Sequence, residues 1–472
     1  MMKLGFFQIL PLALLLSFVT ATVSAADSSS EFLELLRRYD INQGEAAGDA
    51  SIASGTPDAP IDIREAIDLM LRDNLSLKSL RQEIMKAEAA RLTADGTMTP
   101  SVNLTAQTSV ARPGEANRMA RRAMGQDELV WTDQASISVN QTLYSGGRNT
   151  AMRRQAMHTM SIADLALIDA QNRAAGQLFA AFYNVLLAER RIEVEEAAVA
   201  RAEMHFREVS RMSELGLTNR LEVIRASQQL ATNRANQVTA MGNYDAAVIS
   251  LMNILAIPPE ERRPVAGTLR VITVRGDREQ SLAAAMENRA DLGIAENRIE
   301  SQDYQIVIAR SGARPNLTLG GAASVTDAGR TGNFDDTWSA NLLLTVPVLD
   351  RNTTRANVIN AEATAAQIRI SAEEKRLEIK SGVETAWSEL ETATEHLEAA
   401  TRALELAEET MRLAEVGYRE GVTPQLDLLA AQMSLTESRL GFLRSLYNHK
   451  LAVVALKVTE GTIIDWAEST DF

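Results

Sequence analysis

Cysteine is missing from this chain of 472 residues. Its absence excludes disulfides, thiolate metal sites and a lipid-modified N-terminal cysteine. Proline is missing between Pro113 and Pro258 and between Pro347 and Pro424, which leaves room for two very long helices. After Ala25 there is no run of eighteen apolar residues, so we expect no transmembrane helix.

The N-terminus has the three parts of a secretory signal. Lys3 precedes an apolar stretch from Leu4 to Val19, and Val23-Ser24-Ala25 is typical of a cleavage site. We therefore expect residues 1–25 to be a signal peptide, followed by a periplasmic lead-in and linker at residues 26–60. Removing Lys3 changes the formal charge from −14 to −15. An exported chain this acidic is not expected to bind nucleic acid.

The rest of the chain is a tandem duplication. Gly216 follows Ser145 by 71 positions, and Gly421 follows Asp350 by the same number. The offset between copies is 215 before the hairpins and 205 after them. We predict repeat 1 at residues 61–257, a connecting equatorial segment at 258–278, repeat 2 at 279–460 and a C-terminal tail at 461–472.

Each repeat is predicted to contain the same elements in the same order. A helix leads to a β-hairpin, at residues 101–143 and 315–348, because apolar and polar residues alternate there. A long helix follows at 151–214 and 355–419, then a tip turn at 216–218 and 421–423, then a return helix. Thr218 and Thr423 are expected to cap the return helices, with Pro424 at a first helical position. A short strand is possible at Leu269–Val274.

A seven-residue period in the second long helix predicts how it packs. Its two sets of positions are Leu390, Leu397, Leu404, Met411 and Ala393, Ala400, Ala407, Ala414. Of the eight equivalents in the first repeat, seven are apolar and Glu195 is the exception. A sustained repeat of this kind predicts a left-handed coiled coil with closely spaced backbones.

The two β-hairpins indicate that the chain oligomerises. Their strands, at roughly ten residues each, are long enough to cross a bilayer as tilted barrel strands. Four strands cannot close a barrel, and open edges in lipid leave costly unpaired backbone groups. The chain is therefore expected to oligomerise, with its polar helices in water. Trp131 and Trp338 are predicted to lie at the membrane interface.

Leu143-Tyr-Ser-Gly-Gly-Arg148 and Val346-Pro-Val-Leu-Asp-Arg-Asn352 stand where strands lead into helices, and residues 214–223 and 418–432 stand at the tip turns. These segments are similar to the strand-to-helix and tip-turn signatures of the TolC-like outer-membrane efflux and secretion proteins. The resemblance covers about Ile61 to Gly461. It implies a mainly α fold with a small β part, in which duplicated coiled-coil helices form an α-barrel and four strands per chain join a trimeric β-barrel.

The resemblance also implies a function. Such a homotrimer is a passive exit duct in the bacterial outer membrane, with its helical barrel in the periplasm. Its periplasmic end is gated and opens on docking with an adaptor protein and an inner-membrane transporter, in efflux or type I secretion. The family implies no enzymatic activity and no cofactor.

The resemblance assigns gate roles to residues near the tip turns. Asp427 matches an acid that constricts the periplasmic entrance, while Ala430 stands where a second acid is typical. Tyr418 and Glu222 match a pair that links the two tips. Thr423 stands where the family has an arginine.

Other residues leave alternatives open. Arg220 or Arg419 could supply the missing cation. The residues that match the family's adaptor-contact region are Gly216, Leu217, Thr218, Gly421, Val422 and Thr423. The plainer interpretation of these positions is turn chemistry, and that of Asp427 is a solvated acid near a helix N-terminus.

Catalysis and metal binding have little support in the sequence. The four histidines are scattered, and there is no H-E-x-x-H motif, Walker loop or nucleophile elbow. Met98, Met119 and Met124 leave soft-metal handling open, with packing as the plainer interpretation. The alternative for the whole chain is a coiled-coil scaffold of the periplasm or cell surface without a pore, which accounts for the heptads but not for the four strands.

Overall fold

The structure is a computed structural model that describes residues 60–125, 129–272, 276–328 and 334–469. The predicted signal peptide at 1–25 and the lead-in up to residue 59 lie outside these ranges. The described chain is mainly helical, with one four-stranded antiparallel sheet. The predicted fold class is therefore confirmed.

The two repeats contain matching sets of elements. The first repeat contains α1 (Ile63–Asp73), α2 (Leu75–Gly96), β1 (Ser101–Ala111), α3 (Glu115–Ala123), β2 (Val130–Tyr144), α4 (Arg148–Glu214) and α5 (Arg220–Ile254). The second contains α6 (Arg278–Asn288), α7 (Ala290–Ser311), β3 (Asn316–Ala328), β4 (Asp335–Thr345), α8 (Thr353–Arg419) and α9 (Gln425–Glu460), and α10 (Ile463–Ser469) follows it.

Three features differ from the predicted elements. The first helix of each repeat is divided in two, at Asn74 and at its equivalent Arg289. Asn74 ends one helix and caps the next, since its side chain accepts hydrogen bonds from the N–H groups of Ser76 and Leu77. The loop after β1 contains the unpredicted helix α3. Residues 269–272 are not in a strand, which corrects that part of the prediction for Leu269–Val274, and 273–274 lie outside the described ranges.

The duplication extends to the strand-to-helix junctions. Gly146 and Gly147 have φ of 64° and 89°, and their equivalents Arg351 and Asn352 have φ of 56° and 63°. Residues other than glycine seldom adopt this left-handed backbone conformation. In the second junction the Asp350 carboxylate accepts hydrogen bonds from the N–H groups of Asn352 and Thr354, at 3.1 and 2.9 Å.

The predicted coiled-coil positions are confirmed. All eight in α8 and all eight in α4 are buried or half-buried, including Glu195. Each long helix packs against its return helix, α4 with α5 and α8 with α9. Equivalent ion pairs join them, Glu203 with Arg234 at 2.6 Å and Glu408 with Arg439 at 3.0 Å.

The long helices set the scale of the molecule. The 67 residues of α4 and the 67 of α8 each span roughly 100 Å at 1.5 Å per residue. None of the described helices is both long and apolar enough to cross a bilayer.

The sheet has two chemically different faces. Its strand order is β1-β2-β3-β4, so β2 and β3 join the two hairpins. Residues directly opposite each other on neighbouring strands share a face. One row on the apolar face is Leu104, Ile137, Ala323 and Trp338, and the neighbouring row on the polar face is Asn103, Ser138, Ala322 and Ser339.

A lysine lies inside the helical body. Lys450 on α9 is 2% exposed, and its ammonium group lies 4.6 Å from the centre of the Tyr183 ring. Burial lowers the pKa of Lys450 to about 8, because the protein interior disfavours the charged form. The folded protein therefore loses stability when this side chain is protonated.

We expect Lys450→Met to raise the thermal midpoint of the detergent-solubilised protein at pH 7, by removing a destabilisation on the order of 3 kcal/mol. The wild-type midpoint should rise between pH 8 and 10, since the unfolded chain still binds the proton there and the folded chain does not. This rise should be smaller in the variant. Lys380→Met, at an exposed position of α8, is the control. A lower midpoint at pH 7 for Lys450→Met would contradict the expectation.

Candidate functional site at the helix tips

The first tip turn ends α4 in a left-handed glycine. Gly216 has φ of 73°. Its N–H donates to the carbonyl of Ser213 at 3.0 Å, and the N–H of Leu217 donates to that of Met212 at 2.8 Å. This arrangement satisfies carbonyl groups that the end of a helix leaves free.

Asn219, not Thr218, caps the return helix α5. The N–H of Glu222 donates to the Asn219 side chain at 3.1 Å, so the prediction for Thr218 was wrong. The Thr218 hydroxyl instead donates to the Glu222 carboxylate. Asn competes well with Thr as a cap because its carbonyl oxygen reaches the same N–H groups. This hydrogen bond from Thr218 holds the Glu222 carboxylate close to the first tip turn.

The second tip turn has the same backbone shape. Gly421 has φ of 74°, and the N–H of Val422 donates to the carbonyl of Gly417 at 2.9 Å. Pro424 is the N-cap of α9 and not its first helical residue, and Thr423 precedes the cap, which corrects both predictions. The Thr423 side chain packs on Gly417, where a Cβ atom would collide with its hydroxyl.

The structure brings Tyr418 and Glu222 close to the same histidine. His205 of α4 is 5% exposed and lies edge-on to the Tyr418 ring, with ring centroids 5.4 Å apart. Burial raises the pKa of Tyr418, and the nearby carboxylates of Glu222 and Glu208 raise it further. The two predicted gate residues therefore share one buried polar cluster at the junction of the tips.

Gln425 completes this cluster. Its side-chain nitrogen lies 3.2 Å from Nε2 of His205 and 3.0 Å from the backbone carbonyl oxygen of Glu222. The sequence analysis singled out neither His205 nor Gln425. Both are buried where α4, α5, α8 and α9 meet, and the equivalent residues in the other repeat are of other types, Thr410 and Arg220. The burial of such polar side chains becomes recognisable only once the packing is known.

Asp427, the third predicted gate residue, and the two arginines considered for the gate are exposed. Asp427 is exposed in the first turn of α9, and Ala430 is exposed one turn later. Arg419 pairs with Glu415 of its own helix at 2.8 Å, and Arg220 is exposed at the start of α5.

The other predicted site residues lie apart from this cluster. Leu217 is 74% exposed and Val422 is 80% exposed, so both tip turns present apolar side chains to solvent. Trp338 is 80% exposed, and it shares the apolar face of the sheet with Trp131. The described ranges contain no group of three or more His, Asp or Glu placed to hold a metal ion.

Comparison with known families explains the combination of sheet and tips. The profile of the outer membrane efflux protein family matches residues 66–256 and 282–462, which is most of both repeats. The chain belongs to this family. The family and its fold are those of channels and not of enzymes.

Individual relatives have low sequence identity to this chain but match most of its length. Nodulation protein T of Rhizobium leguminosarum bv. trifolii is 22% identical, covering 83% of this chain and 84% of its own. Outer membrane protein TolC of Escherichia coli (strain K12) is 23% identical over 70% of this chain and 69% of its own. The open state of the MtrE outer membrane channel of Neisseria gonorrhoeae has a TM-score of 0.72 at 17% identity, covering 88% of this chain and 94% of that one.

Proposed function

We infer that three copies of this chain form an exit duct through the outer membrane, gated at its periplasmic end and serving a tripartite efflux or type I secretion system. In this arrangement the sheets of three protomers close one β-barrel, and the long helices form a tube in the periplasm. The duct is passive, and transport is driven by an inner-membrane transporter.

The observation that carries the proposal is the sheet. Along its outer sides β1 and β4 have no strand partner in the described chain, and one face of the sheet is apolar while the other is polar. Pairing β1 of one protomer with β4 of the next would satisfy these edges. The apolar face would then meet lipid and the polar face a water-filled pore. A coiled-coil scaffold without a pore does not require such a sheet.

The tips support a docking role. Leu217 and Val422 are apolar, exposed and held on tight turns, so the surface they present is well defined. An apolar patch at the end of a long polar helix pair is typical of an interaction site. We assign this surface, with Gly216, Thr218, Gly421 and Thr423, to a periplasmic adaptor protein.

The gate is assigned to the same end. Asp427 follows the second tip turn and is exposed, and Tyr418 and Glu222 lie at the junction of the two tips. In a trimer, three Asp427 carboxylates facing the pore axis would attract cations and repel anions. Separation of the two tip hairpins would widen this entrance.

We expect Trp338→Asp to reduce trimer assembly in the outer membrane, because it removes an interfacial aromatic and places a carboxylate on the lipid-facing side, at a cost on the order of 1 kcal/mol per protomer. Ser339→Asp is the matched control, because the same charge one residue later lies on the polar face. The measurement is the amount of cross-linked trimer in the outer-membrane fraction. Equal losses in the two variants would contradict the assignment of the two faces, and a larger loss in Ser339→Asp would mean that they are reversed.

Replacing both Leu217 and Val422 with lysine should abolish recovery of the periplasmic adaptor that cross-links to the wild-type channel in cells, while trimers persist. Burying two ammonium groups in an apolar contact without partners is costly. Val271→Lys, at an exposed position in the connecting segment, is the control. Normal adaptor recovery by the double variant would remove the docking role from the tips.

Asp427→Asn should reduce the cation selectivity of the channel in planar bilayers, because it removes one charge per protomer at the entrance. Wild-type selectivity should itself fall between 0.1 and 1 M salt, as the Debye length shortens from about 10 to about 3 Å. Glu420→Gln removes an exposed charge from the neighbouring turn and serves as the control. Unchanged selectivity in Asp427→Asn would place the constriction elsewhere.

A further inference from the structure

His205 and Gln425 form a joint between the two helical hairpins of one protomer. His205 belongs to α4 of the first hairpin, and Gln425 belongs to α9 of the second. Both side chains are 5% exposed. Their equivalents in the other repeat are Thr410 and Arg220, so the duplication does not repeat this pair of side chains.

The hydrogen bonds define the protonation state of His205. The carbonyl of Glu222 only accepts, so the Gln425 atom 3.0 Å from it must be the amide nitrogen. That nitrogen has two hydrogens, and its second acceptor is Nε2 of His205 at 3.2 Å. Nε2 must therefore be unprotonated, which means that the imidazole is neutral with its proton on Nδ1.

Protonation of His205 would weaken this joint by removing one of its two hydrogen bonds. An Nε2–H group would point at the hydrogens of the Gln425 amide, and neither group could accept. Rotation of the amide would present its oxygen, which has no hydrogen-bond partner, to the imidazolium. The same rotation would withdraw the amide nitrogen from the Glu222 carbonyl. Either way, α9 loses a bond to α4 or to α5.

The surroundings of His205 have opposing effects on its pKa. The groups that face it are Glu208 on its own helix, Glu222 on α5, Tyr418 on α8 and the neutral amide of Gln425 on α9. Burial lowers the pKa of His205, and the charges of Glu208 and Glu222 oppose this. The neutral form is thus favoured when the tips are joined, and protonation favours their separation.

We propose that His205 and Gln425 are a proton-sensitive latch, which joins the two tip hairpins of a protomer and releases them on acidification. The latch rests on the proposed function in so far as separation of the tips opens the entrance. Because the unfolded pKa of histidine is about 6.5, the latch is complete above that pH and weakens as the pH falls below it.

The first measurement is of the joint itself. The chain has no cysteine, so Cys introduced at Leu217 and Val422 can be spin-labelled without background, with labelled protomers diluted among unlabelled ones. The distance between the tips should increase between pH 7.5 and pH 5.5 in the wild type. His205→Gln, whose amide oxygen can accept from Gln425 at any pH, should keep the short distance throughout. His396→Gln, at an exposed position of α8, should behave as the wild type.

The second measurement is conductance in planar bilayers over the same pH range. The loss of one hydrogen bond should raise the open population about fivefold in the wild type at pH 5.5. His205→Gln should show no such rise. Gln425→Leu, which removes both bonds, should show the raised conductance at both pH values. Thermal midpoints at pH 7.5 check that the variants are folded.

The outcomes separate the latch from the gate. A tip distance that does not change with pH in the wild type, or that changes equally in His205→Gln, overturns the latch. A His205-dependent change in distance without a change in conductance supports the latch and overturns the assignment of the gate to the tips. Both changes together, each abolished by His205→Gln, support the two proposals.

Discussion

The backbone groups along the outer sides of β1 and β4 are the constraint on which the rest of the structure depends. Unpaired N–H and C=O groups are tolerable in water but costly in lipid, so a sheet with one apolar face cannot enter a bilayer alone. In the proposed duct the protomer is one segment of a larger wall. There the long helices continue that segment, and their seam of alanine and leucine allows the backbones of each helix pair to approach closely.

Most of the fold follows from patterns that are visible in the sequence. The duplication, the alternating strands and the seven-residue period each reflect a local geometric requirement that many residues share. Single-residue features were harder to predict. The division of the first helix at Asn74 depends on one side chain, and the cap of α5 depends on a choice between Thr218 and Asn219 that their types alone do not decide.

The candidate site was only partly predictable for a related reason. Tyr418, Glu222 and Asp427 stand near conspicuous turns, and the resemblance to a family drew attention to them. His205 and Gln425 lie on helices where a periodic pattern predicts no special role. Their burial results from the passage of α9 across α4, which is a property of the tertiary packing. Glu195 shows the same limit. The seven-residue period places it at a core position, but the sequence does not reveal that this polar side chain is almost fully buried.

The two strand-to-helix junctions show how duplicated halves diverge. Gly146 and Gly147 reach the left-handed region because they lack a side chain, whereas Arg351 and Asn352 are held there with help from the Asp350 carboxylate. Hydrogen bonds from Thr354 and Asn352 keep the pKa of Asp350 below its ordinary value, so this support remains charged at neutral pH. The conformation of the first junction thus depends on the freedom of its backbone, and that of the second depends on the charge of a carboxylate. Only the second junction can therefore be weakened by acid.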